Sequence, residues 1–270
     1  MKVFYDGKVE RLVYIGGQPT PDFWDKHWNS RNLKEDIERS KEDRFVLKIL
    51  DKYVPDKRGR ILEGGCGRGH VVYCMQTHGY ECVGVDFAAE TIKKIKEVMP
   101  ELDVRVADVR DLPFPDNYFT AYWSFGVIEH FWDGYHDVLR EMKRVLTNGG
   151  YVFLTFPYMS PLRRLKAKLG LYRDIGELSE GERGSFYQFA LNAETVIEDF
   201  EAIGFKLLEK KSISGIKGFK DEVSPFKPLL QRLFDYEGEN LLFMGTSYGL
   251  DKLLATLSGH IIFLVFRKTK

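Results

Sequence analysis

Apolar residues between positions 60 and 156 recur with two alternating periods, one typical of strands and one typical of helices. Short apolar runs that end at glycines or acids predict buried strands, and longer segments with one apolar face predict helices. The predicted strands are 60–63, 81–86, 103–108, 121–125 and 151–156, and the predicted helices are 71–78, 88–98 and 135–145. This alternation predicts an α/β fold with a twisted, mostly parallel sheet and helices on both faces.

The residues before this region predict a helical arm. Residues 1–30 are rich in aromatic side chains among glycines and prolines, and we expect a partly ordered segment that packs on the rest of the chain. Residues 33–53 predict one helix, which Pro55 ends. Two uses are open for the aromatic residues of the arm, because they could cover a ligand site or simply pack in a core. These residues are Tyr5, Tyr14, Trp24 and Trp28.

Beyond Pro157 the regular alternation ends. The pattern still predicts a helix at 193–203 and a sixth and a seventh strand at 205–213 and 260–266. The long segment 214–259, helix-like at 250–257, is an elaboration of the fold or a functional element. The basic run 163–168 predicts a solvated helix face, with attraction of an anionic substrate or peripheral contact with an acidic membrane as alternatives.

The composition argues against several classes of protein. The chain has 270 residues, and 40 Lys and Arg residues balance 40 Asp and Glu residues. A formal charge of zero argues against nucleic acid as a partner, because such binding relies on counterion release. We expect no transmembrane segment and no signal peptide. Three cysteines, Cys66, Cys74 and Cys82, fit neither a disulfide framework nor a zinc site, so we expect a cytoplasmic protein.

The segment 61–70 carries the most chemical information. It reads ILEGGCGRGH and places Glu63 and three alternating glycines between a strand and a helix. A dinucleotide loop requires G-x-G-x-x-G, but here His70 occupies the position of the third glycine. The carboxylate of Glu63 would also repel a pyrophosphate. S-adenosylmethionine has no phosphate, and its ammonium group suits a carboxylate beside a bare glycine backbone. A tight turn without a ligand is the alternative for these glycines.

From this segment onward the chain resembles the class I S-adenosylmethionine-dependent methyltransferases. Four later stretches agree with the family in order, namely 83–86, 106–109, 114–124 and 139–150. The resemblance is tight over residues 55–157 and loose over 186–213. It implies a Rossmann-like, seven-stranded sheet with an antiparallel last strand, S-adenosyl-L-methionine as cofactor and S-adenosyl-L-homocysteine as product.

The resemblance also assigns residues to the cofactor. Asp86 is expected at the ribose hydroxyls and Asp108 near the adenine, although Asp86 could instead cap a helix and Asp108 could be a solvated acid. Cys66 has no redox role in this interpretation. The full set of predicted cofactor-binding residues is Glu63, Gly65, Cys66, Gly67, Gly69, Asp86, Phe87, Asp108, Val109, Ser124 and Phe125.

The stretch 126–130, GVIEH, is most similar to methyltransferases of ubiquinone and menaquinone biosynthesis. His130 is the candidate general base and Glu129 the group that orients it, with structural packing of both as the alternative. Some quinone O-methyltransferases have a metal-binding acid where this chain has Gly126, so we expect no metal. The signature of DNA amino-methyltransferases after the fourth strand is absent, which disfavours nucleobase methylation.

These observations predict one domain with three parts. Residues 1–54 form an arm and helix, 55–157 the cofactor-binding core, and 158–270 complete the sheet, with 158–190 and 214–259 as lid insertions. The predicted activity is methyl transfer to an oxygen or nitrogen of a small molecule. A nicotinamide-dependent oxidoreductase and a non-enzymatic binding protein are the alternatives, and the sequence leaves the oligomeric state open.

Overall fold

The strands account for two separate sheets in the computed structural model, which describes residues 1–29, 32–235 and 241–269. Strand bounds are β1 (Lys2–Asp6), β2 (Arg11–Ile15), β3 (Arg60–Gly64), β4 (Glu81–Asp86), β5 (Val104–Val106), β6 (Phe119–Phe125), β7 (Leu146–Pro157), β8 (Arg173–Asp174), β9 (Phe186–Ala190), β10 (Phe205–Ile213) and β11 (Ile261–Lys268).

The helices flank the larger sheet and fill the segments that follow it. Helix bounds are α1 (Pro21–His27), α2 (Leu33–Glu38), α3 (Arg44–Tyr53), α4 (His70–Thr77), α5 (Ala89–Val98), α6 (His136–Val145), α7 (Pro161–Lys168), α8 (Glu180–Arg183), α9 (Ala193–Ala202), α10 (Gly215–Glu222), α11 (Lys227–Phe234) and α12 (Leu241–Ser258). Short 3₁₀ turns occur at 39–42, 128–130, 175–177 and 224–226. None of the helices in these described ranges is long and apolar enough to cross a membrane.

The central sheet has seven strands in the order β10-β11-β7-β6-β3-β4-β5. Strands β3 to β7 pair in parallel, whereas β11 runs antiparallel to both β7 and β10. The prediction of a mostly parallel, seven-stranded sheet with an antiparallel last strand is confirmed. Because β11 is reversed, its first residue, Ile261, pairs with Pro157 at the carboxyl end of β7.

Both faces of this sheet are buried, which explains the nearly continuous apolar runs of its strands. Neighbouring side chains alternate between the faces. Tyr122 and Leu154 belong to a core cluster that includes Phe200 of α9, whereas Trp123 and Phe153 belong to the cluster on the opposite face. The carboxyl edge of the sheet is thereby held rigidly between two helical layers.

The prediction of a helical arm is wrong for its first part, where β1 and β2 form an antiparallel hairpin. The hairpin lies inside a second sheet of order β8-β1-β2-β9, and Phe4, Leu12 and Val13 are fully buried. Its stability depends on pairing with β9, which lies far away in the sequence. Local periodicity carries no information on such a long-range contact. The arm is helical only from α1 onward among the described residues.

Two predicted boundaries also differ from the structure. The single helix at 33–53 is interrupted by a 3₁₀ turn, because Asp43 accepts hydrogen bonds from the backbone N–H groups of Phe45 and Val46 at 2.8 and 3.1 Å. A side chain that caps α3 in this way requires non-helical backbone at Asp43. The turn 148–150, predicted to separate a helix from a strand, lies within β7, which begins directly after α6.

The prediction of a solvated basic face on α7 is wrong for Arg163, which is 1% exposed. Its Nε donates to Oε1 of Glu222 in α10 at 2.9 Å. Leu165 of α7 and Leu169, which directly follows the helix, are exposed instead. A buried guanidinium is tolerated because the ion pair and several carbonyl oxygens replace its water.

Glycines allow α10 to lie directly against α12. A Cβ atom at Gly218 would come within 1.6 Å of the carbonyl oxygen of Ser258, whereas a Cβ at Gly249 would meet no atom within 4 Å. This contact fixes the segment that leads into β11. It therefore positions the residues that directly precede β11 at the carboxyl edge of the sheet.

We expect Gly218→Ala to lower the free energy of unfolding by about 1–3 kcal/mol, because the added methyl group overlaps the backbone of α12. Gly249→Ala is the matched control and should be neutral or stabilising by up to about 1 kcal/mol, since alanine favours an exposed helical position. Urea denaturation of both variants measures the difference. Equal effects of the two substitutions would contradict the close packing.

Candidate active site

One cleft of about 1110 Å³ follows the carboxyl edge of the central sheet. Its lining extends from Asp108, after β5, past Asp86 and Glu63 to His130 and finally to His260 before β11. This is the position at which open parallel sheets bind their ligands. The strand order therefore arranges the lining residues in a row across the sheet.

The glycine loop after β3 forms the floor of the cleft. Gly65, Gly67 and Gly69 have φ values of +78°, +49° and +73°, a region that other residues rarely adopt. The N–H groups of Gly65 and Cys66 donate to the carbonyl of Val85 at 2.8 and 2.9 Å, which ties the loop to β4. Gly65, Cys66 and Gly67 line the cleft, whereas Gly69 caps α4 and lies outside the lining.

Glu63, at the end of β3, is a buried acid whose carboxyl group lacks part of its hydrogen bonds. Its side chain lines the cleft at 4% exposure, and its Oε2 has no hydrogen-bond partner among the described residues. Burial raises the pKa of Glu63 well above its ordinary value. A buried carboxyl beside a bare loop is suited to a ligand that brings a cation or N–H donors.

Asp86 both faces the cleft and secures the loop. Its Oδ2 accepts from the N–H of Gly67 at 2.8 Å, and its Oδ1 accepts from the N–H of Ala88 at 2.9 Å. Burial raises the pKa of Asp86, and these two N–H groups oppose the rise. The sequence left ribose binding and helix capping open. Asp86 does not cap α5, because the N-cap residue is Ala88 and Asp86 accepts from that residue rather than from the first turn of the helix. Ribose binding stays a prediction.

Of the remaining predicted residues after β4 and β5, Phe87 and Asp108 are more exposed, whereas Val109 is buried. Asp108 forms an ion pair with Arg110, with Oδ2 and Nη2 2.6 Å apart, and this pairing lowers the pKa of Asp108. Phe87 and Val109 also line the cleft. Arg110 was not among the sequence-predicted site residues, although its position two residues after Asp108 was a usable signal.

Of the two site residues predicted at the end of β6, only one lines the cleft. Phe125 lines the cleft. Ser124 is fully buried, its hydroxyl has no hydrogen-bond partner among the described residues, and it is outside the cleft lining. Successive residues of a strand point to opposite faces, so the two side chains cannot both face the ligand.

Glu129 and His130 lie in the 3₁₀ turn after β6, and both line the cleft. The carbonyl oxygen of Tyr187 lies 2.8 Å from Nδ1 of His130, so Nδ1 carries the proton and Nε2 is an acceptor. Burial lowers the pKa of His130 to about 4 and raises the pKa of Glu129 to about 8. Nε2 is 4.0 Å from Oε1 of Glu129, and Oε2 of Glu129 is unpaired among the described residues.

An aromatic wall from α1 and β9 covers this part of the cleft. Trp24 contacts His130 edge to face, with ring centroids 5.0 Å apart, and stacks on Trp28. A Cβ atom on Gly67 would come within 3.0 Å of the indole of Trp28, so the indole packs on the glycine loop. Of the four predicted aromatic residues, Trp24 and Trp28 line the cleft, whereas Tyr5 and Tyr14 lie in the hairpin.

Sequence reasoning did not single out His27, and it quoted Tyr187 only as part of the loose resemblance. Both residues line the cleft and contact Trp24. The spacing of Trp24, His27 and Trp28 on one helix face was an available signal. No sequence signal could have revealed the contribution of Tyr187, because it is made by the backbone carbonyl, which any residue type provides.

The protein residues at the β3–β4 end fit S-adenosylmethionine. Glu63 supplies an unsatisfied carboxyl for an ammonium group, and Asp86 supplies a second carboxyl at the next strand. The glycine loop carries no side chains beyond that of Cys66 and Arg68, and Cβ atoms at Gly65 and Gly67 would collide with Val127 and Trp28 of the cleft lining. Neither acid suits a pyrophosphate, because like charges repel in a site of low dielectric constant.

Comparison with known proteins agrees with this geometry. Residues 62–154 match the family model of a methyltransferase domain. A probable S-adenosylmethionine-dependent methyltransferase of Mycolicibacterium smegmatis is 29% identical over 147 residues, which are 54% of this chain and 52% of that protein. The 27-O-demethylrifamycin SV methyltransferase of Amycolatopsis mediterranei is 29% identical over 183 residues, which are 64% of each chain.

A solved structure shares the fold. The PH0226 protein of Pyrococcus horikoshii OT3 superimposes with a TM-score of 0.52 at 21% identity, covering 89% of this chain and 93% of that one. The chain spans about half the length of the first curated relative and 64% of the second. The similarity to the curated relatives therefore concerns parts of those proteins.

We expect Glu129→Gln to remove a pH-dependent component of stability. Because the folded-state pKa of Glu129 is raised from 4.5 to about 8, its contribution is fully present below pH 4.5 and is lost as the pH rises through about 8. The free energy of unfolding of the wild type should therefore fall relative to Glu129→Gln by up to about 1.4 kcal/mol per pH unit in this window.

Guanidinium denaturation at pH 5, 6.5 and 8 measures this difference. Glu97→Gln, which changes an exposed acid, is the matched control and should follow the wild type. Parallel stability curves for the wild type and Glu129→Gln would show that Glu129 is ionised in the folded protein.

Proposed function

We propose that this chain, whose residues 62–154 match the family model of a methyltransferase domain, transfers a methyl group from S-adenosylmethionine to an oxygen or nitrogen of a small molecule. The observation that carries the proposal is the buried carboxyl of Glu63, with Oε2 unpaired among the described residues, beside a loop of three positive-φ glycines. A scaffold protein would gain no stability from such a group.

The cofactor half of the cleft extends from β3 to β5. Bound S-adenosylmethionine supplies an electrophilic methyl group on its sulfonium sulfur. Glu63 would hold the ammonium group, and Asp86 would bind the ribose hydroxyls while it keeps the loop in place. Phe87, Asp108 and Val109 would surround the adenine, since they line the cleft beyond Asp86.

The acceptor half begins at His130. The proton on Nδ1 leaves Nε2 free to accept the proton of an acceptor hydroxyl or amine as its bond to the methyl group forms. The pKa of about 4 means that His130 is unprotonated at neutral pH. Glu129, whose Oε1 lies 4.0 Å from Nε2, is a neutral carboxyl at neutral pH because burial raises its pKa to about 8, so it does not form an ion pair with the ring.

Trp24, Trp28 and Tyr187 exclude water from this region and hold the acceptor in place. Methyl transfer is an in-line displacement, and orientation alone can contribute several kcal/mol to its rate. The relative from Amycolatopsis mediterranei is named as an O-methyltransferase of a rifamycin, which supports a small-molecule acceptor here. The three cysteines are free, buried thiols, which supports a reducing cytoplasm as the location.

We expect S-adenosylhomocysteine to raise the melting temperature by about 5 °C at 100 times its dissociation constant, whereas NAD(P)H should have no effect. Glu63→Gln should weaken S-adenosylhomocysteine binding roughly 10- to 100-fold, because a charge-assisted contact is lost without a change in volume. Thermal shift and calorimetry measure both effects. Release of S-adenosylhomocysteine from a mixture of small-molecule acceptors then tests turnover.

Glu97→Gln serves as the surface control for this experiment and should bind like the wild type. Stabilisation by NAD(P)H alone would indicate an oxidoreductase. A folded protein that binds no adenosyl ligand would indicate a binding protein on the same fold.

Asp86→Ala should weaken cofactor binding by about one to a few kcal/mol, because the ribose contact and the support of Gly67 are lost together. Asp108→Ala should have a smaller effect, since Asp108 is more exposed and already paired with Arg110. Calorimetry measures affinity, and circular dichroism should remain close to that of the wild type. Normal binding by Asp86→Ala would exclude the ribose role.

A further inference from the structure

A second histidine lies at the opposite end of the cleft from the acidic residues. His260 directly precedes β11 and lines the cleft together with Thr155, Phe156 and Pro157 at the end of β7. Neighbouring strands are about 4.8 Å apart, and two strand spacings separate the ends of β6 and β11. The start of β11, which His260 precedes, is therefore about 10 Å from the end of β6, on the side of β6 away from Glu63.

Arg163 fixes the tautomer of His260. Its Nη2 lies 2.9 Å from Nδ1 of His260, and its Nη1 donates to the carbonyl oxygen of Tyr158 at 2.8 Å. A guanidinium has only donors, so Nδ1 must accept and the proton of the neutral ring is on Nε2. Burial and the nearby Arg163 also lower the pKa of His260 to about 2, which keeps the ring neutral.

Nε2 of His260 is the ring nitrogen that Arg163 does not use, since the hydrogen bond with Arg163 involves Nδ1. Nε2 is also not one of the buried polar atoms that lack a hydrogen-bond partner within the described part of the chain. Since His260 belongs to the cleft lining, its Nε2–H is a donor available to a ligand there. His130 presents the opposite tautomer, with an accepting Nε2.

An ionic cluster from both insertions holds Arg163 and His260 in place. Glu222 accepts from Nε of Arg163 at 2.9 Å, from Nζ of Lys166 at 2.7 Å and from the hydroxyl of Tyr172 at 2.6 Å. The cations of this region outnumber its carboxylates. The cations are Arg163, Lys166, Lys217 and Lys220, and the carboxylates are Asp221 and Glu222.

We propose that His260 selects the methyl acceptor by donating a hydrogen bond from Nε2 to a carboxylate of an otherwise apolar or aromatic substrate. The positive surroundings of the ring favour an anionic oxygen over a neutral one. Val127, Phe131, Trp132, Phe156 and Phe186 belong to the apolar lining of the same cleft. This inference rests on the proposed function where it identifies the bound carboxylate as part of the methyl acceptor. The tautomer of His260 and the binding of a carboxylate do not depend on the proposed function.

The first experiment determines the tautomers. Nitrogen-15 NMR of histidine-labelled protein should show the Nε2–H form at His260 and the Nδ1–H form at His130, assigned through His260→Asn and His130→Asn. A protonated ring or the Nδ1–H form at His260 overturns the proposal.

The second experiment measures ligand binding to the S-adenosylhomocysteine-saturated protein by calorimetry. The probes are acid and amide pairs of increasing length: 4-hydroxybenzoate, 3-(4-hydroxyphenyl)propionate and 4-hydroxycinnamate, each with its carboxamide. We expect at least one acid to bind roughly 10- to 100-fold more tightly than its amide. Equal affinities in every pair, or no binding by any acid, overturns the proposal.

Two substitutions of His260 separate the cleft donor from the structural contact. Asn places an acceptor near the position of Nδ1, which preserves the contact with Arg163, but it does not reach the cleft. Gln places an amide N–H near the position of Nε2. His260→Asn should abolish the preference for acids, and His260→Gln should retain part of it. The reverse order of these two variants overturns the assignment.

The exposed His136→Gln is the matched control and should bind like the wild type. Thermal melts of the variants check folding. Failure of the proposed function would appear as loss of S-adenosylhomocysteine binding by the wild type, and the acid and amide pairs would then be titrated into the free protein. Failure of the present inference would leave S-adenosylhomocysteine binding intact and remove only the discrimination between acid and amide.

Discussion

The energetic cost of burying carboxyl groups at the carboxyl edge of the sheet is the constraint on which the site depends. Glu63 is 4% exposed and Asp86 is 6% exposed, yet their compensation differs. Asp86 receives two backbone N–H groups, whereas Oε2 of Glu63 has no partner within the described residues. A group of this kind costs free energy in the free protein. The cost is offset only when a ligand supplies the missing donors, so the site favours a cationic nucleoside and disfavours a phosphate.

The same edge has opposite electrostatic character at its two ends. Acids follow β3, β4 and β5, whereas cations from α7 and α10 lie behind His260 at β11. The two histidines between these ends are held in opposite tautomers by groups that cannot change roles, a carbonyl oxygen for His130 and a guanidinium for His260. One ring therefore presents an accepting Nε2 and the other a donating Nε2–H. The order of the strands separates these tasks in space.

The sequence predicted the sheet and much of the cleft lining because both depend on local signals. Periodicity located each central strand, and glycines and acids at strand ends located Glu63, Gly67 and Asp86. Ser124 was wrongly predicted to line the cleft, because the residue type does not reveal which face of the sheet a strand residue points to. The burial of Arg163 was missed because its partner, Glu222, lies in another insertion. The division into arm, core and lid insertions and the resemblance of 126–130 to quinone methyltransferases stay predictions.

The second sheet, which periodicity did not reveal, has a direct consequence for the chemistry. Its strand β9 pairs with β2 of the N-terminal hairpin, and the carbonyl of Tyr187 in β9 orients Nδ1 of His130. The next segment of the arm, α1, places Trp24 against the same imidazole. His130 is therefore positioned by β9 and α1 as well as by the core. Under the proposed function, a core shared by enzymes with different acceptors would leave the selection of the acceptor to the surrounding elements, and the contacts of His130 point to the hairpin, α1 and β9 for that role.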